Sequence, residues 1–159
     1  NDPCNLRLDG KALIDGTAWD YAYVELGDPG IPHAVVPVEN LQDFDTAKLR
    51  ELGRRLRYYP EFPKGANVNF YEIIGADHIY ERTYERGVED FTYACGTGTG
   101  SVVTVLTLLG KVSGHQVRVD MTGGQLMVDV EREGNQVTNL YLTGPTNIVC
   151  KGEITDEAL

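Results

Sequence analysis

Basic residues are scarce in this chain. Fourteen Lys and Arg stand against 24 Asp and Glu, a formal net charge of −10 over 159 residues. Nucleic-acid partners need a basic face for the phosphates, so this balance argues against them. It says little about a small zwitterion. Long apolar runs are missing as well: none approaches the roughly 20 residues of a membrane helix, and no basic, apolar leader opens the chain. No membrane partner is expected. Cysteine is limited to Cys4, Cys95 and Cys150, an odd number without CxxC spacing, which leaves neither a disulfide framework nor a thiolate metal clip. His33, His78 and His115 are too scattered for a ligand cluster. A cytoplasmic, metal-free protein is the expectation. The chain opens at Asn1 rather than at a methionine, and an upstream piece is expected to be missing from it.

What is present reads mostly as short strands punctuated by Gly, Asn and Asp. The candidates are 5–8, 11–14, 19–26, 34–38, 66–74, 78–85, 117–121, 125–131, 137–143 and 147–151. Asp15-Gly16 and Gly123-Gly124 mark hairpins, which implies mainly antiparallel pairing. Residues 46–58 break the pattern. Leu49, Leu52 and Leu56 share one face there, and Lys48, Arg50, Arg54, Arg55 and Arg57 occupy most of the remainder. That is an amphipathic surface helix capped by Asp45, with its arginines read as a solvated face rather than an anion site.

The second exception is 97–109, TGTGSVVTVLTLL, which carries no charge on any face. β-Branched content leaves a strand open, but the length favours a helix. A helix apolar all round is buried all round, with its Ser and Thr hydroxyls bonding back to backbone carbonyls. One buried helix among many antiparallel strands predicts an α+β domain, a curved sheet wrapped around a central helix, rather than alternating βαβ units.

That helix is reached through Ala94-Cys95-Gly96-Thr97-Gly98-Thr99-Gly100. Unpaired N–H groups and the positive end of the helix dipole converge there, ready for a carboxylate. A cysteine in that position is expected to have a lowered pKa and to alkylate faster than Cys4 and Cys150. A thiolate beside a carboxylate pocket could remove the proton next to that carboxylate. The plainer reading makes Cys95 a small buried hydrophobe and the glycines relief for crowding. A dinucleotide site fits worse, because GxGxG is not GxGxxG and the surroundings are antiparallel. Just upstream, Glu85 and Arg86 adjoin a turn. They could be an inconsequential surface pair, yet Arg suits a second carboxylate and Glu an ammonium.

The string RTYERGVEDFTYACGTGTG (82–100) closely resembles the active-site segment of diaminopimelate epimerases. Ile31-Pro32-His33-Ala34-Val35-Val36 resembles that family's [NV]PHxVV segment. Residues 62–70, FPKGANVNF, are similar to its FPxGxNVNF segment, and Leu142-Thr143-Gly144-Pro145 to its closing LTGP. The likeness runs over roughly 26–152.

The resemblance implies two pseudo-symmetric domains, each a curved sheet around a helix, with one cysteine from each flanking the substrate α-carbon. One thiolate takes the proton while the opposite thiol supplies another, without pyridoxal phosphate or any other cofactor. On this basis the chain, 1–159, is a single domain, the C-terminal one, partnered by an N-terminal domain that it lacks. It interconverts LL- and meso-diaminopimelate for lysine and peptidoglycan precursors only with that partner, and its uncovered surface favours self-association, as in a homodimer. Cys95 matches the acid/base. Gly96 and Thr97 match the positions whose amides hold the reacting carboxylate. Glu85, Arg86 and Asn67 match substrate-recognising positions, Arg86 and Asn67 at the distal carboxylate, and His33 matches a histidine near the catalytic centre. Ile31 departs from an asparagine common in the family, and Phe91 from a glutamate. The alternatives are a proline-racemase-like or phenazine-biosynthesis-like isomerase, or a carboxylate-binding domain without catalysis.

Overall fold

Asp15 and Gly16 both take positive φ, 48° and 81°, so they form the two-residue turn that suits the twist of a hairpin. A computed structural model describes residues 3–27 and 29–158, with side chains from 6 to 157. The turn joins β1 (Pro3–Ile14) to β2 (Thr17–Gly27), and β3 (Gly30–Pro37) adds antiparallel beside β2. The two strands expected at 5–8 and 11–14 are one strand with irregular register between Cys4 and Gly10. Cys4 itself falls outside the described side chains.

After β3 the chain crosses through α1 (Thr46–Arg57) to β4 (Asn67–Gly75), which lies parallel to β3. β5 (His78–Glu85) returns antiparallel, and the short β6 (Asp90–Phe91) pairs with it. A second crossover, α2 (Gly96–Leu108), leads to β7 (Val117–Met121), parallel to β5. β8 (Gly124–Glu133) and β9 (Gln136–Thr143) complete a nine-stranded sheet ordered β1-β2-β3-β4-β5-β7-β8-β9, with β6 on the side of β5. The pairing is mainly antiparallel, as the turns imply. It becomes parallel at the two places where a helix intervenes, because a parallel pair needs a crossover. The second hairpin turns at Thr122-Gly123, one residue earlier than expected, with Met121 opposite Gly124.

The two helices take opposite faces of the sheet. Ala34 and Val36 of β3 join the cluster containing Leu49, Leu52 and Leu56 of α1. Val35, between them, joins Val102, Val103, Val105 and Leu106 of α2. Strand alternation thus splits neighbouring residues between two cores. α2 packs on β2, β3 and β4 and also on β8 and β9, which lie toward opposite ends of the sheet order. The sheet therefore curls around α2, as its composition demands. Each fully buried Val or Leu contributes roughly 1.5–3 kcal/mol to holding it there. Among the described residues, no helix is long and apolar enough to cross a membrane.

Asp45 caps α1 as expected, its carboxylate accepting from the Lys48 N–H at 2.8 Å. The α1 arginines are largely committed to carboxylates: Arg54 and Arg55 share Glu51, Arg50 meets Asp90, and Arg57 meets Glu89. Within α2, Ser101 and Thr107 bond back to the carbonyls of Thr97 and Val103 at 2.8 and 2.7 Å. Thr99 and Thr104 depart from that expectation, since their buried hydroxyls have no such bond. The strand expected at 147–151 does not form. Ile148, Val149 and Cys150 lie exposed in irregular backbone, because no strand pairs with them. β-Propensity without a partner strand makes no strand.

Candidate active site

Cys95 is fixed at the mouth of α2 by the route of the chain out of β6. It is the residue before the helix, with extended backbone (φ −136°, ψ 99°), and its carbonyl accepts from the Thr99 N–H at 2.9 Å. The leading amides of a helix have no intrahelical partner. Among the described residues, no protein carbonyl accepts from the N–H of Gly96 or Thr97. The Gly98 N–H favours the charged form of the Cys95 sulfur. Two amides beside a thiol are thus available to an anion.

The glycines also answer to packing. A methyl at Gly98 would run into Asn69 Oδ1 and stand 3.2 Å from the Cys95 sulfur. One at Gly100 would stand 2.6 Å from a Leu140 methyl. Crowding thus accounts for Gly98 and Gly100, and the ligand reading rests on the amides of Gly96 and Thr97.

Strand register gathers the other residues. His33 stands opposite Asn67, and Val68 opposite Tyr84, so β3 and β4 start where β5 finishes at Glu85. His33, Asn67, Glu85 and Arg86 therefore share one end of three adjacent strands, and Thr97 and Cys95 bond into the same end. Asn67 Oδ1 accepts from the Arg86 N–H at 2.6 Å, and Arg86 Nη1 donates to the Lys64 carbonyl at 3.0 Å. Lys64 is itself held by buried Glu25 at 2.9 Å. A guanidinium has five N–H donors, so Arg86 retains capacity for a ligand.

His33 is fully buried, and its tautomer follows from its neighbours. Asn69 Nδ2 lies 3.2 Å from the Ala34 carbonyl and 3.0 Å from His33 Nδ1. A carbonyl only accepts, so the atom facing it is the amide NH2, and Nδ1 of His33 accepts the second N–H. In the neutral ring Nε2 then carries the proton and donates to Thr97 Oγ1, 3.1 Å away. Burial above all, with the charge of Arg86, drives the His33 pKa down to about 4 against the opposing bond from Asn69, so the ring is neutral at pH 7. Thr97 Oγ1 in turn lies 3.7 Å from the Cys95 sulfur.

The expected low pKa of Cys95 is not found. Burial pushes the thiol up, with Thr97 and the Gly98 N–H opposing and the charges of Glu85 and Glu81 adding to the rise. A helix start lowers a thiol pKa only where desolvation and nearby carboxylates do not outweigh it.

The family model described as diaminopimelate epimerase matches residues 27–149. The chain belongs to the diaminopimelate epimerase family. It is 37% identical over 141 residues to the diaminopimelate epimerase of Leptospira biflexa, covering 89% of this chain and 46% of the relative. It is 42% identical over 148 residues to that of Chlorobaculum tepidum, covering 92% and 54%. The chain thus spans about half the length of these relatives. In fold it is similar to a hydroxyproline epimerase from Agrobacterium vitis, with a TM-score of 0.64, 18% identity and coverage of 89% of this chain and 50% of that one. At that identity the likeness is one of fold, and it agrees with the expected α+β architecture.

Within the diaminopimelate epimerase family frame, all seven site positions expected from the sequence lie at one end of the sheet. Cys150 does not join them through a strand, being exposed in irregular backbone. Ile31 is exposed at the start of β3, opposite Leu26. Sequence reasoning missed Asn69, Thr83 and Glu81. Thr83 Oγ1 lies 3.0 Å from Asn69 Oδ1 and 2.9 Å from Glu81 Oε1, all three side chains buried. The available signal was the alternation Ile79, Glu81, Thr83, which sets a carboxylate on the inward face of β5.

Proposed function

We propose that this chain carries the proton-donating half of a diaminopimelate epimerase site, with Cys95 as one of two acid/base thiols. The observation that carries the reading is a half-buried thiol next to two unpaired helix-start amides, backed by a neutral, oriented histidine. The amides of Gly96 and Thr97 receive the reacting carboxylate. The Cys95 thiol faces the α-carbon beside it. Because burial raises its pKa, Cys95 rests as the thiol and serves as the acid in one direction of the reaction. In the reverse direction the same sulfur, as thiolate, takes the proton.

Arg86, steadied by Asn67 and the Lys64 carbonyl, meets the distal carboxylate, and Glu85 meets an ammonium. These are charge-assisted contacts that suit a diamino dicarboxylate. Inversion needs a second acid/base group on the opposite face of the α-carbon. We infer that it comes from a further domain of the protein, since Cys150 is remote from any comparable loop. The reaction serves lysine and peptidoglycan precursor synthesis.

The test is exchange of the diaminopimelate α-proton with deuterated solvent, using the protein in its full-length form. Cys95→Ala is expected to lower exchange by at least about a hundredfold, the scale of a lost acid/base. Unchanged exchange in that variant would overturn the assignment.

A further inference from the structure

Among the described residues, Glu81 is the buried carboxylate that the site reading leaves without a task. The residue is 2% exposed, its Oε1 accepts from Thr83 at 2.9 Å, and its Oε2 has no geometric hydrogen-bond partner. No charged side chain is among the groups that move it. The titratable residues around it are Tyr71 opposite it on β4, His33 on β3 beyond Asn69, and Cys95 at the start of α2.

Proton counting decides its state. The Thr83 hydroxyl has one proton and two neighbouring acceptors, Asn69 Oδ1 and Glu81 Oε1. The Asn69 NH2 is already assigned to Ala34 and His33, so its Oδ1 can only accept. If Glu81 is ionised, either its Oε1 or Asn69 Oδ1 goes without a donor, at about 1–3 kcal/mol for a buried group. If Glu81 is protonated, its O–H donates to Thr83, and Thr83 donates to Asn69. The Thr99 hydroxyl, also without a geometric partner, acts on the same carboxyl group and is free to serve Oε2.

We propose that Glu81 is a positioning residue that keeps its proton and heads a one-way series of hydrogen-bond donors, through Thr83, Asn69, His33 and Thr97, ending on the Cys95 sulfur. Each link fixes the next. Asn69 donates to Nδ1, so His33 donates from Nε2. Thr97 accepts from His33, so its own hydroxyl proton points to the sulfur. The series transfers no net proton. It orients donors toward the thiolate that forms when Cys95 gives up its proton, and it keeps a second negative charge away from that sulfur. Burial, against the pull of Thr83 and Thr99, raises the Glu81 pKa to about 7, in keeping with an acid that is neutral below that pH. Above it, Thr83 turns to the carboxylate, Asn69 loses its donor, and the new charge opposes ionisation of Cys95.

The inference takes Cys95 as the reacting thiol, but its test reads the sulfur directly. Alkylation rates of Cys95 are measured against pH in the present chain with Cys4→Ser and Cys150→Ser, comparing Glu81→Gln, Thr83→Val and the parent. Gln is a permanent donor of the same shape. Glu81→Gln is expected to titrate at lower pH than the parent and to react about threefold faster near pH 8, as a half-unit shift gives. Thr83→Val is expected to move the titration upward, although the carboxyl is retained. Carboxyl carbon shifts followed by NMR are expected to have Glu81 neutral at about pH 6. A Glu81→Gln profile superimposed on the parent's, or a Glu81 carboxyl that titrates in the ordinary glutamate range, overturns the proposal. Circular dichroism of each variant checks that a change reflects the series and not a lost fold. Failure of this test would leave the exchange assay on the full-length protein to judge the epimerase reading separately.

Discussion

His33 and Glu81 are both buried and are displaced in opposite directions, which has a consequence for stability. The His33 pKa falls from 6.5 to about 4, so its contribution is present above 6.5 and is lost as pH drops through 4. The Glu81 pKa rises from 4.5 to about 7, so its contribution is present below 4.5 and is lost as pH climbs through 7. Each is worth about 3 kcal/mol at full extent, and between about 4.5 and 6.5 they oppose each other. Denaturant unfolding of Glu81→Gln should therefore give added stability of up to about 3 kcal/mol near pH 8 and almost none near pH 4. The same variant should weaken on acidification more steeply than the parent from pH 6.5 downward. A second expectation replaces the sequence-based one for the thiols. Cys150 is exposed, whereas the Cys95 thiol is partly buried with its pKa pushed up. Mass-spectrometric mapping at neutral pH should find Cys150 alkylated before Cys95.

The elements were largely legible because their patterns are local. Thr46–Arg57 shows an apolar stripe with an Asp cap, and the length of the uncharged run 97–109 favours a buried helix over a strand. What sequence could not reveal is which helix residue touches which strand. Gly53 is such a case. In a helix interior Gly→Ala ordinarily gains about 1 kcal/mol. Here a methyl would stand 2.9 Å from Tyr84 Cβ and ring atoms across the α1–β5 contact. Gly53→Ala should destabilise by roughly 1–3 kcal/mol, as overpacking does, measured by thermal or denaturant unfolding. The failed strand at 147–151 has the same cause from the other side. Its residues suit a strand, but pairing is a property of two segments.

At the scale of the whole molecule, Cys95 is the thiol that the described side chains place at the site end of the sheet, and the proposed inversion uses two groups. The 159-residue chain alone should give no measurable epimerisation of diaminopimelate, followed by loss of one stereoisomer on a chiral column. Adding the N-terminal half of a relative in trans should restore part of it. Turnover by the chain alone, abolished by Cys95→Ala, would direct the search for a second base to His33 and Glu85. On the proposed two-domain reading, a half-site would leave developing charge in water rather than among preorganised donors, which would lower any residual exchange.

The sequence by itself determined most of the elements, the buried character of α2 and the presence of a thiol at a glycine-rich helix start, because periodicity, turn chemistry and composition act within a few residues. Its ordered motifs also determined the family. Only the tertiary structure decided the state of that thiol. Burial, with the carboxylate of Glu85 adding to it, outweighs the helix start at Cys95. Likewise, only register and packing bring Glu81, Thr83, Asn69 and His33 into one line of donors, since the pKa of a buried group is set by whatever the fold arranges around it.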